Sequence, residues 1–216
     1  YEQILAEFKD PKDRSRTWDE LGWTGDVKYH AGGFKALQEG AHHAELDVRM
    51  AANPSHLELI DPVIQGMSRA ANSQVDHAGT PKISMNASLP ILIHGDASFV
   101  GQGIVAESLN LSQLSGYSTG GSLHIIANNQ IGFTATEKES RGSLHASDLA
   151  KGFEIPVIHV NADEPEACFE AAYTAMAYRQ KFHKDFVIDL IGYRRHGHNE
   201  GDEPRFTQPT MYRKVD

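Results

Sequence analysis

Cysteine is almost absent from this sequence, since Cys168 is the only one among 216 residues. A single cysteine cannot form an internal disulfide, and there is no cysteine group that would hold zinc. Long apolar runs are also lacking, and none reaches the roughly 20 residues that a membrane-spanning helix requires. These absences predict an intracellular protein of a reducing compartment that does not span a membrane.

Positive charge is also scarce. Lysine and arginine total 20 against 29 aspartates and glutamates, which gives a formal net charge of −9. This balance argues against a surface built to bind nucleic-acid phosphates. An anionic ligand therefore needs a local positive site, and the best candidate is "YRRHGHNEGDEP", residues 193–204.

A regular pattern of alternating elements begins at residue 89. Apolar runs typical of strands alternate with helical stretches, which predicts parallel strands joined by crossover helices in an α/β fold. Because the apolar runs are continuous, both faces of the sheet are expected to be covered. The strand runs are 89–94, 123–127, 155–160 and 186–193, and the helical stretches lie near 101–114 and 164–182.

We expect residues 1–216 to form one α/β domain. Its parts would be an irregular and helical N-terminal portion (1–88), the parallel core (89–200) and a C-terminal loop (201–216). Ser55 and Glu58 are spaced as a capping box for a helix within residues 53–73 that is kinked or restarted at Pro62. Asp163 and Glu166 suggest a second capping box at the start of the 164–182 helix.

Polar residues follow two successive strands of this predicted sheet. "LPILIHGDASFVGQG" (89–103) places Asp96 after an apolar run, and "SLHIIANNQIG" (122–132) ends its run in Asn128 and Asn129. Asp96 and Asn129 are 33 positions apart, about the length of one strand–helix–strand unit. Adjacent strands would then present an aspartate and an amide side by side, and these oxygen ligands suit Mg²⁺ and a bound phosphate. For either residue alone, a helix cap or a turn is the better interpretation, but the pair favours a metal site.

A second interpretation of the same region is weaker. "GQGIVA" (101–106) matches the dinucleotide pattern G-x-G-x-x-A, but the preceding apolar run ends several residues too early. The next strand ends in Asn128, where a ribose-binding acid would be expected. Three histidines within strand runs, His94, His124 and His159, are expected to be structural.

Several motifs together resemble one enzyme family. "TGDVKYH", "ANPSHLE", "HGDASFVGQGIVAESLNLS", "NNQIGFT", "HVNADEPEA" and "GHNEGDEP" occur in the order found in the first, decarboxylating component of 2-oxoglutarate dehydrogenase complexes. The resemblance extends from about Ile4 to Tyr212. It implies the diphosphate-binding domain of the thiamine-diphosphate-binding fold, with thiamine diphosphate and Mg²⁺ as cofactors.

The resemblance also implies site residues, position by position. The side chains of Asp96 and Asn129 and the backbone carbonyl of Ile131 would bind Mg²⁺. His30 and His198 would be catalytic, and His30 and Ser55 would contact the 2-oxo acid. The cofactor would be lined by Leu57, Asp96, Ala97, Ser98, Asn129 and Ile131.

The activity implied is oxidative decarboxylation of 2-oxoglutarate, with transfer of the succinyl group to the lipoyl group of a partner dihydrolipoyl succinyltransferase. The full-length enzyme would be a homodimer, and Gly201 in "GHNEGD" favours the bacterial cytoplasm over the mitochondrial matrix. Two alternatives stay open: a 2-oxoadipate-type dehydrogenase, or a non-catalytic fragment that binds Mg²⁺ and phosphate.

The sequence departs from the family pattern in three places. "YHAGG" stands where "YHLG" is usual, and "RGSLHASD" (141–148) stands where "SSPYPTD" is usual. The upstream "HRGRLN" segment and the pyrimidine-binding domain, whose glutamate activates the cofactor in the thiamine family, are not found in these 216 residues. We therefore expect a fragment that is inactive alone.

Overall fold

The structure is a computed structural model, and it describes residues 32–39, 44–54, 57–199 and 201–216. The chain divides into two compact units, residues 1–56 and residues 57–216. His30 and Ser55, which are predicted to contact substrate, lie outside the described residues. Within the described ranges, no helix combines the length and apolarity needed to cross a membrane.

The described part of the first unit is an antiparallel hairpin. Strands β1 (Gly33–Glu39) and β2 (Ala44–Met50) pair in a register that sets Gly33 opposite Met50. Gly32 lies so close to the second strand that an added Cβ would come within 2.8 Å of the Met50 carbonyl oxygen. A glycine at this position therefore permits the close approach of the two chains.

The second unit contains the remaining described elements. In chain order these are α1 (Asp61–Asn72), β3 (Ser73–Gln74), β4 (Lys82–Ile83), β5 (Ile91–Gly95), α2 (Asp96–Gly101), α3 (Gly103–Ser112), β6 (Leu123–Asn128), β7 (Ile131–Gly132), β8 (Ala135–Thr136), α4 (Glu137–Ser140), α5 (Asp148–Lys151), β9 (Val157–Asn161), α6 (Pro165–Phe182), β10 (Phe186–Ile191), a 3₁₀ turn (Pro204–Phe206) and α7 (Pro209–Val215).

The centre of this unit is a four-stranded sheet with the order β5–β6–β10–β9, and all three strand pairs are parallel. The predicted α/β class is therefore confirmed. Two apolar clusters pack on the sheet, one around Ile126 and Val187, the other around Phe186 and Ile188. Since neighbouring residues of a strand point to opposite faces, the two clusters cover the two faces of β10.

Three local predictions differ from the structure. The helical stretch near 101–114 is α3 (Gly103–Ser112), and a separate helix that was not predicted, α2, precedes it, because Gln102 between them has an extended backbone (φ −107°, ψ 115°). Helix α6 begins one residue later than the Asp163 cap requires, with Glu164 as N-cap and no side-chain capping bond. Pro165 sets this start, since its ring restricts φ and it lacks the N–H that a cap would bind.

The C-terminal residues 201–216 were expected to be a loop, but they contain a 3₁₀ turn and α7. Each begins with a proline, which favours the first turn of a helix. Tyr212 of α7 is fully buried, and its hydroxyl donates to the Arg194 carbonyl oxygen at 2.5 Å. This contact holds the C-terminal segment against the residues that follow β10.

Candidate functional site

Asp96 and Asn129 lie at the carboxyl ends of the paired strands β5 and β6. Asp96 is the first residue of α2, directly after β5, and Asn129 directly follows β6. Gly95, directly before Asp96, pairs with Ala127, two residues before Asn129, in the parallel β5–β6 pair. The neighbouring placement predicted from their spacing is therefore confirmed.

The Asp96 carboxylate is buried and incompletely paired. Burial raises its pKa, although backbone hydrogen bonds and the charge of Arg141 oppose that rise. Its Oδ2 atom makes no hydrogen bond to the described residues, and Arg141 Nη1, also without one, lies 3.6 Å away. The other end of the Arg141 guanidinium binds Glu137 through Nη2 at 2.7 Å. A buried carboxylate oxygen and a buried guanidinium nitrogen thus lie together with unused hydrogen-bonding capacity.

Two consecutive turns carry the chain past the end of β6. Asn128 Oδ1 accepts from the Gln130 N–H at 3.1 Å, and Asn129 Oδ1 accepts from the Ile131 N–H at 3.0 Å. Gln130 adopts a left-handed backbone (φ 62°), which reverses the chain into β7. An added Cβ at Gly132 would come within 3.1 Å of the Ala97 Cβ, so β7 packs tightly on α2. These turns bring Asn129 and Ile131 to the side of α2 that bears Asp96 and Ala97.

His198 is exposed on a loop after β10, beside the segment that follows β7. Its ring lies edge-on to Phe133, with 6.1 Å between the ring centroids. Its backbone N–H donates to Asp202 Oδ2 at 2.7 Å. Asp202 also lies 3.9 Å from Arg194 Nη1, which makes no hydrogen bond in the described part. An exposed imidazole therefore lies beside the segment that follows β7.

Leu57 lies in a turn before α1 and is 63% exposed. Its neighbour Glu58 is buried, and its carboxylate accepts from the Ser98 hydroxyl at 2.6 Å. This bond joins the turn that bears Leu57 to the first turn of α2. Ser55 lies outside the described residues, but α1 begins at Asp61 with Ile60 as its N-cap, so Glu58 precedes the helix whose first turn it was predicted to cap.

A chain of buried polar groups continues from Glu58 across the sheet. Its Oε2 lies 2.5 Å from His94 Nδ1, and His94 Nε2 lies 3.0 Å from His124 Nδ1. His124 Nε2 in turn lies 3.2 Å from Asp185 Oδ2. Burial lowers the pKa of His94, but the carboxylates of Asp61 and Glu58 beside its Nδ1 outweigh burial and raise the pKa to about 9. His94 and His124 are thus buried, hydrogen-bonded histidines, as predicted.

A second polar group occurs beside Asn128. Asn128 Nδ2 donates to Asp189 Oδ1 at 3.0 Å, and Ser147 Oγ donates to Asp189 Oδ2 at 2.9 Å. His159 Nδ1 also lies 3.1 Å from Asp189 Oδ2, with about a third of its side chain exposed. Asp189 therefore fixes the side chain that precedes Asn129, which helps to set the turn at the site.

The raised pKa of His94 predicts how stability changes with pH. His94 titrates at about 9 when folded and near 6.5 when unfolded, so its stabilising protonation is complete below pH 6.5 and is lost as pH rises through 9. The free energy of unfolding of this chain should fall by about 3 kcal/mol from this group between pH 6 and pH 10. Urea unfolding across this range is the measurement.

His94→Gln should flatten that pH dependence, whereas His77→Gln should not. His77 is a suitable control because it is also paired with an aspartate, Asp76, at 3.0 Å, but on the surface. Equal pH slopes for wild type and His94→Gln would contradict the assignment.

Arg141 and Glu58 are the site-adjacent residues that sequence reasoning missed. Arg141 lies in the segment that departs from the family pattern, so no motif pointed to it. Glu58 was interpreted only as part of a helix-capping box with Ser55. A weak signal existed for both, because a buried carboxylate such as Asp96 needs a cation, and a buried histidine such as His94 needs an acceptor.

The sequence is similar to known proteins. A family model described as dehydrogenase E1 component matches residues 20–216. The 2-oxoglutarate dehydrogenase E1 component of Geobacillus kaustophilus is 57% identical over 218 residues, which cover 98% of this chain and 23% of that protein. The proteins of the same name from Oceanobacillus iheyensis and Bacillus subtilis are 53% and 54% identical over 222 and 221 residues, covering 100% of this chain and 23% of each relative.

The chain thus spans less than a quarter of the length of these curated relatives. The family match itself extends over most of the chain, including every element of the four-stranded sheet. This chain belongs to the dehydrogenase E1 component family.

Proposed function

We propose that this chain is the part of a 2-oxoglutarate dehydrogenase E1 component that binds the diphosphate of thiamine diphosphate. The enzyme would oxidatively decarboxylate 2-oxoglutarate and transfer the succinyl group to the lipoyl group of a dihydrolipoyl succinyltransferase. The observation that carries the proposal is buried Asp96 beside half-buried Asn129 at adjacent strand ends, in a chain 57% identical to a protein with that enzyme name.

The donor set at this edge fits a Mg²⁺–diphosphate group. Mg²⁺ prefers carboxylate, amide and carbonyl oxygens, which the side chains of Asp96 and Asn129 and the carbonyl of Ile131 would provide. The unpaired Oδ2 of buried Asp96 would be compensated by a cation. Arg141 Nη1, also unpaired, would donate to an anionic oxygen of the diphosphate.

The protein's other residues would bind and orient the reactants. Leu57, Ala97 and Ser98 would line the cofactor beside Asp96. When bound, thiamine diphosphate supplies a site that stabilises negative charge at the substrate's 2-oxo carbon as CO₂ leaves. We propose that exposed His198 moves a proton at the reacting end, and that His30 and Ser55 contact the dicarboxylic substrate.

The complete protein would be a homodimer in the bacterial cytoplasm, with no nucleic-acid or membrane partner. The acidic balance of this chain, with a net charge of −9, supports the absence of a phosphate-binding surface outside the local site.

Cofactor titration followed by turnover tests this function. The complete protein should bind thiamine diphosphate only with Mg²⁺ present, and should then decarboxylate 2-oxoglutarate faster than 2-oxoadipate or pyruvate in an artificial electron-acceptor assay. Faster turnover of 2-oxoadipate would reassign the substrate. Absence of cofactor binding by the complete protein would reject the function itself.

A further inference from the structure

Glu58 has an unusual backbone for its residue type. Its φ of 62° lies in the left-handed region, which costs a residue with a Cβ roughly 1 kcal/mol or more. The turn that holds it is tied by backbone bonds from Leu59 N to Leu57 O at 2.8 Å and from Asp61 N to Glu58 O at 3.2 Å. This conformation places the Glu58 side chain, which is 1% exposed, beneath the β5–α2 junction.

The two oxygens of this carboxylate contact the chain on both sides of Asp96. Oε2 lies 2.5 Å from Nδ1 of His94, two residues before Asp96, and Oε1 accepts from the hydroxyl of Ser98, two residues after it. One side chain, 36 and 40 positions away in the sequence, thus bridges the segment that carries the proposed metal ligand. Hydrogen bonds to an ionised group are shorter and stronger than neutral ones.

The Ser98 hydroxyl does not need Glu58 in order to find a hydrogen-bond acceptor. Ser98 Oγ also lies 3.0 Å from the Gly95 carbonyl oxygen, so a local acceptor is available without Glu58. An added Cβ at Gly95 would come within 3.2 Å of Ser98 Oγ, which shows how closely this hydroxyl packs on the junction. Glu58 therefore orients the hydroxyl of Ser98, a residue that the family resemblance assigns to the cofactor site.

We propose that Glu58 is a positioning residue for cofactor binding: by bridging His94 and Ser98 it holds the intervening segment, and with it Asp96, in the geometry that binds Mg²⁺ and diphosphate. This inference rests on the proposed function. Glu58 does not contact the cofactor itself, and it acts through Ser98 and the first turn of α2.

The test uses the complete enzyme and calorimetric titration with thiamine diphosphate in saturating Mg²⁺. Glu58→Ala should weaken cofactor affinity about tenfold or more, since it removes a charged acceptor from a buried donor. Glu58→Gln should restore part of the affinity, because its amide oxygen can still accept from Ser98. The Michaelis constant for the cofactor should rise by a larger factor than turnover at saturating cofactor falls.

A double-mutant cycle with Ser98→Ala isolates the bridge. Ser98 also lines the proposed cofactor site, so if Glu58 acts through Ser98, the double variant should lose clearly less affinity than the two single losses combined. Ser98 is only partly buried, so this variant also tests the contact if Glu58→Ala does not fold.

Asp185→Asn is the matched control. Asp185 is another buried carboxylate, at the far end of the same polar chain, where it pairs with His124. The Asp185→Asn substitution should lower the thermal stability of the cofactor-free enzyme without changing its cofactor affinity more than about twofold. A Glu58→Ala variant that behaves like this control, losing stability but not affinity, would overturn the proposal, as would additive losses in the double-mutant cycle. Failure of the wild-type enzyme to bind the cofactor would instead count against the proposed function.

Discussion

Asp96→Ala in the complete enzyme is expected to abolish Mg²⁺-dependent binding of thiamine diphosphate, and turnover with it. Asp96 is 2% exposed and its Oδ2 makes no hydrogen bond in the described part of the chain, so a buried carboxylate oxygen is left without a hydrogen-bond donor. Removing it deletes the one carboxylate among the proposed metal ligands and leaves Arg141 Nη1 without the nearby negative charge. We expect affinity to fall by more than about 100-fold, beyond the effect of losing a residue that only supports a ligand.

Two further variants test whether the loss of cofactor affinity results from the loss of a Mg²⁺ ligand. Asp96→Asn keeps one oxygen ligand but removes the charge, so weak binding should return at high Mg²⁺ concentration. Asp163→Ala is the control, because Asp163 also follows the carboxyl end of a strand, β9, but is exposed. Calorimetry should give wild-type affinity for this control. Unchanged affinity in Asp96→Ala would remove Asp96 from the metal site.

The central sheet could be predicted because its signal is local and repeated. Each of the four strands is a short apolar run followed by a polar group, and the spacing between Asp96 and Asn129 matches one strand–helix–strand unit. Parallel strands align their carboxyl ends at one edge, so sequence spacing becomes spatial proximity. Asp96 and Asn129 were therefore predictable as neighbours from their sequence spacing alone.

The contacts that complete the site could not be predicted in this way. Glu58 meets Ser98 across 40 positions and Arg141 meets Asp96 across 45, and neither separation follows from a helix or strand period. The spacing of Ser55 and Glu58 suggested a cap, but burial of His94 created a stronger demand for a carboxylate partner. Tertiary contacts of this kind override local preferences, and they are visible only once the fold is known.

The same limit applies to the helix boundaries. Asp163 has a cap residue's chemistry, yet its backbone N–H donates to Asn161 Oδ1 at 3.1 Å within a turn after β9. That turn ends before the helix begins, and Pro165 then sets the first turn of α6. The existence and length of the helix were predictable from composition, whereas its first residue depended on the end of the preceding strand.

The 216-residue chain alone should not catalyse decarboxylation, although it carries the proposed metal ligands. The chain covers 23% of the length of relatives named 2-oxoglutarate dehydrogenase E1 component. The family resemblance implies that the cofactor lies between two domains and that its ring is activated by a glutamate of the pyrimidine-binding domain, which the resemblance does not find in this chain.

The end strand of the sheet exposes two aliphatic side chains. Strand β5 is at one end of the sheet order, and its burial alternates, with Leu92 and His94 buried but Ile91 and Ile93 exposed by 51% and 70%. Exposed aliphatic residues on an end strand favour association with another chain. The purified chain should therefore self-associate, and Ile93→Gln should reduce this in analytical ultracentrifugation.

The measurement is decarboxylation of 2-oxoglutarate by the purified 216-residue chain with saturating thiamine diphosphate, Mg²⁺ and an artificial electron acceptor. It tests whether this chain is active alone. We expect less than about 1% of the turnover of the complete enzyme, because a cofactor held only at its diphosphate is not oriented for reaction, and misplacement by about 1 Å already costs about 100-fold. The Ile93→Gln variant should be equally inactive, so that aggregation cannot account for the loss. Turnover comparable to that of the complete enzyme would instead mean that these residues, alone or as a dimer, build a whole active site.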